Sequence, residues 1–167
     1  MEIKNLIEED FVNYKKPSMF IATSKCNFKC EKENPTCKCQ NSTLATNPLF
    51  KIDDSVIIQR YLNNNITKAI VLGGLDPFDT FEELHDFIWK FRQLSDDDIV
   101  IYTGYNVSET WDKIRKLYKF KNLIIKFGRF LPDSKSRYDE VLGVTLVSDN
   151  QMAMTIQDLR RLDGGNT

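Results

Sequence analysis

The cysteines are the feature that most constrains this chain, because all four lie between residues 26 and 39 and the rest of the sequence contains none. A stretch this short has to fold as a compact loop if its thiols are to act at one place. The preceding residues, 18–23, form an apolar run that predicts a buried β-strand. The sequence therefore predicts a cysteine loop, defined here as residues 24–42, that directly follows a strand.

Apolar runs and amphipathic stretches alternate along the rest of the chain. We predict further strands at residues 68–72, 99–103, 123–127 and 144–147, and helices at residues 52–62, from Thr80, from Asn106 and at residues 155–162. Strands that alternate with helices indicate an α/β fold with a mostly parallel sheet. The length and ordinary composition predict a single domain over residues 1–167.

Glycines mark the ends of several predicted strands. Gly73 and Gly74 follow the strand at 68–72, and Gly104 and Gly128 follow the next two. Because active sites of parallel α/β folds lie at the carboxyl ends of the strands, we expect these glycines and the cysteine loop to open onto one rim. The sequence therefore predicts a single active site.

Charge and hydropathy exclude two classes of partner. The net charge is −1, which lacks the basic surplus of a nucleic-acid-binding protein. No apolar run approaches the roughly 18 residues that a membrane span needs, and the charged N-terminus does not resemble a signal peptide. We expect a cytoplasmic protein, and clustered cysteines in that reducing compartment are more often metal ligands than disulfides.

The spacing of the cysteines leaves three interpretations open. Disulfides would staple the loop, although an α/β domain of this size does not need them. Zinc would take all four thiolates, and the pair Cys26-x₃-Cys30 suits it better than Cys37-x-Cys39, which leaves one residue between ligands. An iron–sulfur cluster would take three thiolates and leave one iron open to a substrate or cofactor.

The cysteine loop resembles a known family. Cys26-x₃-Cys30, with a later cysteine that runs into Gln40-Asn41, is similar to the radical S-adenosylmethionine (radical SAM) enzymes. More narrowly, it resembles the activating proteins of anaerobic (class III) ribonucleotide reductase.

That resemblance implies a ligand set. The ligands of a [4Fe–4S] cluster would be Cys26, Cys30 and Cys39, with Cys37 as an extra cysteine. The usual motif of the family is C-x₃-C-x₂-C, whereas residues 31–38 separate the second and third ligands here.

Three later segments extend the resemblance and imply contacts with SAM. The segment from Gly73 and Gly74 to Asp76 is similar to the GGEP segment of the family, which contacts the SAM amino group; as an alternative, it is only a strand-to-helix turn. Thr103 and Tyr105 are expected at the adenosine pocket. Asn150 lies in a Ser-Asp-Asn-Gln stretch and is expected at the ribose or backbone.

The resemblance also implies a fold and an activity. The fold would be a partial (β/α) barrel, as in the radical SAM core. The protein would be an oxidoreductase that cleaves SAM to methionine and a 5′-deoxyadenosyl radical, so as to generate a glycyl radical on a partner such as anaerobic ribonucleotide reductase. A flavodoxin- or ferredoxin-type donor would reduce it, and no catalytic side chain is assigned beyond the cluster and SAM. The alternatives are a radical SAM enzyme acting on a small molecule or peptide, and a non-catalytic zinc-stabilised adaptor.

Overall fold

The computed structural model describes residues 1–164, so the last three residues of the predicted domain lie outside the described part. The strands are β1 (Glu2–Asp10), β2 (Ser18–Thr23), β3 (Phe50–Lys51), β4 (Ala69–Gly73), β5 (Asp98–Tyr102), β6 (Leu123–Phe127), β7 (Arg137–Asp139), β8 (Val144–Leu146) and β9 (Met152–Thr155). The α-helices are α1 (Lys29–Glu33), α2 (Ser42–Thr46), α3 (Asp54–Asn63), α4 (Phe81–Arg92), α5 (Trp111–Leu117) and α6 (Ile156–Gly164). Short 3₁₀ helices span Pro77–Thr80 and Val107–Glu109.

The main sheet has seven strands in the order β3-β1-β2-β4-β5-β6-β9, and β7 pairs with β8 in a separate hairpin. Its centre, β2-β4-β5-β6, is parallel. These four strands lie within one residue of their predicted positions, because continuous apolar runs with glycine at the end are typical of strands buried on both faces. Their carboxyl ends therefore point to the same edge of the sheet.

The predicted partial (β/α) barrel with a mostly parallel sheet is wrong, although the α/β class holds. In the described residues β3 and β9 each pair on one side only, so the sheet is open. Three of its six pairings are antiparallel, at β1–β2, β1–β3 and β6–β9.

The helices α3 to α6 all pack on one face of the sheet. The predicted stripe of α4 is confirmed, because each of its members is buried: Phe81, Leu84, Phe87, Ile88 and Phe91. They join the inward side chains of α3, α5 and α6 and of the central strands in the larger apolar cluster. Burial of one such side chain contributes about 1.5–3 kcal/mol, so this face supplies most of the apolar stabilisation.

The opposite face of the sheet, called the helix-free face here, is covered by the β7–β8 hairpin and the segment of residues 11–17. Asp139 anchors the hairpin, because its carboxylate accepts hydrogen bonds from the backbone N–H groups of Leu142 and Ala153, both at 3.0 Å. The hydroxyl of Tyr102 fixes the segment by donating to the carbonyl oxygen of Asn13 at 2.6 Å. This cover leaves a cavity near the carboxyl ends of the parallel strands.

A search of the described helices for one long and apolar enough to cross a bilayer returned none.

Candidate metal centre

A cavity of about 310 Å³ opens where the parallel strands end. One wall is made by residues that follow the four strands, among them Cys26, Cys30, Cys39, Gly74, Asp76, Thr103, Tyr105, Gly128 and Arg129. The helix-free face supplies the other wall, including Val12, Phe20, Tyr102, Lys126, Val144, Leu146 and Val147. The cavity therefore has a polar, thiol-bearing end and a more apolar end.

Three of the four cysteines line this cavity, and the fourth does not. Cys26, Cys30 and Cys39 are partly exposed on its wall. Cys37 is only 3% exposed, and its Sγ lies 3.8 Å from the backbone oxygens of both Lys38 and Phe130. The fold thus places three thiols on a common space and buries the fourth, Cys37, which still contacts Cys30.

The sulfur atoms of these three cysteines receive backbone hydrogen bonds. The N–H of Phe28 donates to Cys26 Sγ and the N–H of Asn41 to Cys39 Sγ, each at 3.3 Å, and Cys30 receives the N–H of Glu31. Donors aimed at a sulfur favour its thiolate form and are among the factors that set the potential of iron–sulfur clusters.

Burial affects how these thiols ionise. It is the main cause that raises the pKa of Cys26 to about 11. It is also the main cause that raises the pKa of Cys30 to about 11, and the negative charges of Cys39 and Cys37 raise the pKa of Cys30 further. Burial also raises the pKa of Cys37. Metal binding has to displace these protons, because thiolates rather than thiols are ligands.

The arrangement of the thiols fits a cluster better than a single ion. In the described part of the chain, no three side chains of histidine, cysteine, aspartate or glutamate form a ready-made group of ligands for one ion. Zinc held by all four thiolates would need the four sulfurs around one centre, whereas the Cys37 thiol, which also contacts Cys30, is directed at the Phe130 carbonyl. A multi-iron cluster takes ligands at separate irons, so thiols spread over one cavity wall suit it.

A group of hydrogen bonds holds the start of the cysteine loop. The carboxylate of Asp79 accepts from the backbone N–H of Asn27 at 2.7 Å and from the hydroxyl of Tyr105 at 2.7 Å. Because Asn27 follows Cys26 directly, this contact fixes the backbone beside the first candidate ligand against the 3₁₀ helix Pro77–Thr80.

An ion-pair network, called the Arg129 network here, holds helix α1. Arg129 pairs with Glu33 at 2.9 Å and with Glu109 at 2.7 Å, and Lys29 also pairs with Glu109. The hydrogen bond from Arg129 is the largest cause that lowers the pKa of Glu109 to about 2. The network connects α1, which carries Cys30, to the ends of β5 and β6.

Gly73 and Gly74 differ in their placement. Gly73 is the last residue of β4 and is buried, whereas Gly74 lines the cavity. Gly74 has φ of +81°, and a Cβ there would lie 2.6 Å from Cδ2 of Leu44 in α2 and 3.2 Å from Cβ of Ala22. Only glycine allows both this backbone conformation and the close packing of α2.

Asp76 connects the ends of two strands. Its carboxylate accepts from the N–H of Phe78 at 3.0 Å, from Thr103 Oγ1 at 2.9 and 3.0 Å, and from the N–H of Gly104 at 2.8 Å. Burial raises the pKa of Asp76 despite these donors. These bonds account for Asp76 as part of a turn, and the side chain also borders the cavity.

Of the remaining residues predicted to contact SAM, two line the cavity and one does not. Thr103 and Tyr105 line the cavity beside Asp76. Asn150 is exposed and is not part of the lining; its amide donates to the backbone oxygen of Arg129 at 3.0 Å. The neighbouring Gln151 lines the cavity instead and donates to the backbone oxygen of Gly128 at 3.2 Å.

Sequence reasoning gave no site role to several residues at the cavity. Arg129 directly follows the glycine at the end of β6, so its position was a usable signal. Lys126 was a clearer one, because a lysine interrupts the otherwise apolar strand Leu123–Phe127. Asp79 carried no signal, since its contacts with Asn27 and Tyr105 exist only in the folded chain.

Together, the fold and the thiols define an α/β protein with three cysteines in a cavity at its strand ends. Residues 17–153 match the family model of the 4Fe-4S single cluster domain. The chain belongs to that family, since the match covers most of its length and all four cysteines. No curated protein and no solved structure was found to match it. The family favours the iron–sulfur interpretation over zinc.

Proposed function

We propose that the protein is a radical SAM enzyme that reductively cleaves S-adenosylmethionine and generates a glycyl radical on a partner enzyme such as anaerobic ribonucleotide reductase. The observation that carries this proposal is the division of the thiols: three face one cavity, and Cys37 is buried against Phe130. Three protein ligands leave one iron of a [4Fe–4S] cluster for another molecule.

In this proposal Cys26, Cys30 and Cys39 hold the cluster. Bound and reduced, it supplies the electron that splits a carbon–sulfur bond of SAM to give methionine and a 5′-deoxyadenosyl radical. The chain holds the ligand loop in place through Asn27–Asp79 beside Cys26 and through the Arg129 network at helix α1. Such positioning is what a protein contributes when a cofactor performs the difficult step.

The glycine segment would receive the amino group of SAM. Gly74 brings its backbone to the cavity wall without a side chain. The hydroxyl of Thr23 donates to the carbonyl oxygen of Leu75 at 2.8 Å and so fixes the segment. Asp76, beside it, would offer its negative charge to the ammonium group. Three donors of the chain already bond this carboxylate, which has roughly four acceptor sites.

The open side of the cavity suits a large substrate. Val12 and Val147 line the cavity and are 73% and 44% exposed, and Phe11, the chain neighbour of Val12, is 62% exposed. Such apolar groups at the mouth of a site favour contact with another protein. A partner would cover this side and keep water from a radical, and a flavodoxin- or ferredoxin-type protein would supply the electron.

Anaerobic reconstitution with iron and sulfide tests the proposal. We expect about four irons per chain and, after reduction with dithionite, formation of 5′-deoxyadenosine from SAM. Addition of the partner should then give the electron paramagnetic resonance signal of a glycyl radical. A loaded cluster that leaves SAM intact would contradict the proposal, as would stoichiometric zinc without a cluster.

A radical SAM enzyme acting on a small molecule or peptide is the second candidate. The apolar end of the cavity, at Phe20 and Leu146, favours it because this end lies apart from the thiols. Radical transfer to a small molecule in the absence of any protein partner would favour this candidate over the activase.

A further inference from the structure

One buried lysine in the cavity wall has no counter-ion among the described residues. Lys126 lies near the end of β6 on the helix-free face, is 7% exposed and lines the cavity. Its ammonium group donates to the backbone oxygen of Gly128 at 3.0 Å and lies 5.8 Å from the centre of the Tyr102 ring.

We propose that Lys126 forms a binding site for one carboxylate group inside the cavity. An ammonium group has three N–H donors, and one is used by Gly128. A buried charge is costly unless it is paired and hydrogen-bonded, so a ligand that brings a carboxylate would complete the site. Burial also lowers the pKa of Lys126 to about 8, which agrees with an ammonium group that lacks a close partner.

Asp76 does not serve as that partner. Its charge raises the pKa of Lys126, so the two groups interact, but no carboxylate of the described chain lies within ion-pair distance of the Lys126 ammonium. The Asp76 oxygens are directed instead at Phe78, Thr103 and Gly104.

A purely structural role explains Lys126 poorly. The carbonyl oxygen of Gly128 also accepts a hydrogen bond from the Gln151 amide at 3.2 Å, so it is satisfied without the lysine. An uncharged side chain of similar length would fill the space without the desolvation penalty, which is several kcal/mol for a buried ion.

The local charges select the kind of anion. Lys126 supplies one positive charge, and the nearby Asp76 is a carboxylate. A monovalent carboxylate is neutralised by the single charge of the lysine, whereas a phosphate dianion would keep one negative charge unpaired near Asp76. The ligand would therefore carry a single carboxylate.

Two sources fit this chemistry. One is the α-carboxylate of SAM, and this source rests on the proposed function. The other is a carboxylate on a peptide segment of the partner, which would enter through the open side of the cavity at Val12 and Val147.

Nuclear magnetic resonance of the full chain with an oxidised cluster, labelled at lysine ¹³Cε, tests the proposal. The Lys126→Met variant identifies the resonance, and Lys135→Met, which removes an exposed lysine, is the matched control. Acetate is compared with acetamide, and SAM with decarboxylated SAM. We expect acetate to shift the Lys126 resonance and acetamide to leave it unchanged.

Calorimetry identifies the source. If SAM supplies the carboxylate, Lys126→Met should weaken SAM binding by about 10-fold or more, as expected for a charge-assisted hydrogen bond, and leave decarboxylated SAM nearly unaffected. If acetate shifts the resonance and SAM does not, the site belongs to the substrate, and the inference stands even if SAM fails to bind. If neither acetate nor SAM moves the resonance, Lys126 is not a carboxylate site.

Discussion

The hydroxyl of Thr103 donates to both carboxylate oxygens of Asp76, at 2.9 and 3.0 Å. The backbone pairing of β4 with β5 extends to Leu72 and Ile101, so this contact joins the two strands beyond the end of the ladder. The position of the glycine segment relative to the next strand is thereby set by side chains.

Replacement of this carboxylate should have two separate effects. Asp76→Asn places an amide NH₂ against backbone N–H donors, so we expect a loss of about 1–3 kcal/mol in the free energy of unfolding. We also expect weaker SAM binding with the iron content unchanged. Denaturant titration and calorimetry measure the two, and Thr103→Ser, which keeps the hydroxyl, is the control. Unchanged SAM affinity in Asp76→Asn would show that Asp76 only stabilises the turn and does not bind SAM.

Single cysteine substitutions test the ligand set. Cys26→Ala, Cys30→Ala and Cys39→Ala should each lose the cluster or its SAM cleavage, whereas Cys37→Ala should keep both, because the Cys37 thiol contacts Phe130 and not the cavity. Iron and sulfide content with 5′-deoxyadenosine formation are the measurements. Loss of the cluster in Cys37→Ala and its retention in Cys39→Ala would mean that the third ligand is Cys37.

A double substitution separates backbone strain from packing at Gly74. Gly74→Ala should destabilise the protein for two reasons. A φ of +81° costs alanine about 1–2 kcal/mol, and the new Cβ would meet Leu44. The pair Gly74→Ala with Leu44→Ala should recover only the packing part, which a double-mutant cycle of unfolding free energies measures. An additive cycle would show that Leu44 does not limit the site.

The Arg129 network should protect the cysteine loop. Arg129→Met removes one of the two cations that Glu33 and Glu109 share, since Lys29 also pairs with both, so helix α1 should open more often. We expect the metal-free Arg129→Met chain to be cleaved faster within the cysteine loop. Lys121→Met, which removes an exposed ion pair with Asp96, should be cleaved at the wild-type rate. Equal rates in the two variants would show that the network does not hold α1.

Acid should weaken the same network. The pKa of Glu109 is lowered in the fold from 4.5 to about 2, so its contribution is fully present above about pH 4.5 and is lost as the pH falls towards 2. The free energy of unfolding of the wild type should therefore fall by about 1 kcal/mol more than that of Glu109→Gln over this pH interval. Denaturant unfolding of the metal-free chain at several pH values gives the comparison, and parallel losses in both proteins would contradict the assignment.

The sequence was informative where local pattern determines structure. The four central strands and the stripe of α4 were predicted because burial requires apolar residues at regular spacing. Strand β1 was missed, since its charged residues reflect a position outside the parallel centre, and β9 is only four residues long. These two antiparallel strands are why the sheet is mixed and the predicted barrel is wrong.

The site was predicted in part for a similar reason. The clustering of cysteines and glycines after strands is a local signal, and the structure brings most of those residues to one cavity. The orientation of Cys37 depends on Phe130, and the support of α1 depends on Arg129 and Glu109. Contacts between residues so far apart in the chain leave no pattern in a single sequence.

The β7–β8 hairpin supplies one wall of the cavity, while the cysteines lie on the opposite wall and belong to the loop after β2. The two walls are therefore encoded by separate stretches of the chain. Substitutions in the hairpin can alter which molecules fit without touching the cysteines that we propose as cluster ligands. The shape of the cavity and the set of cysteines can thus change independently during evolution or in engineered variants.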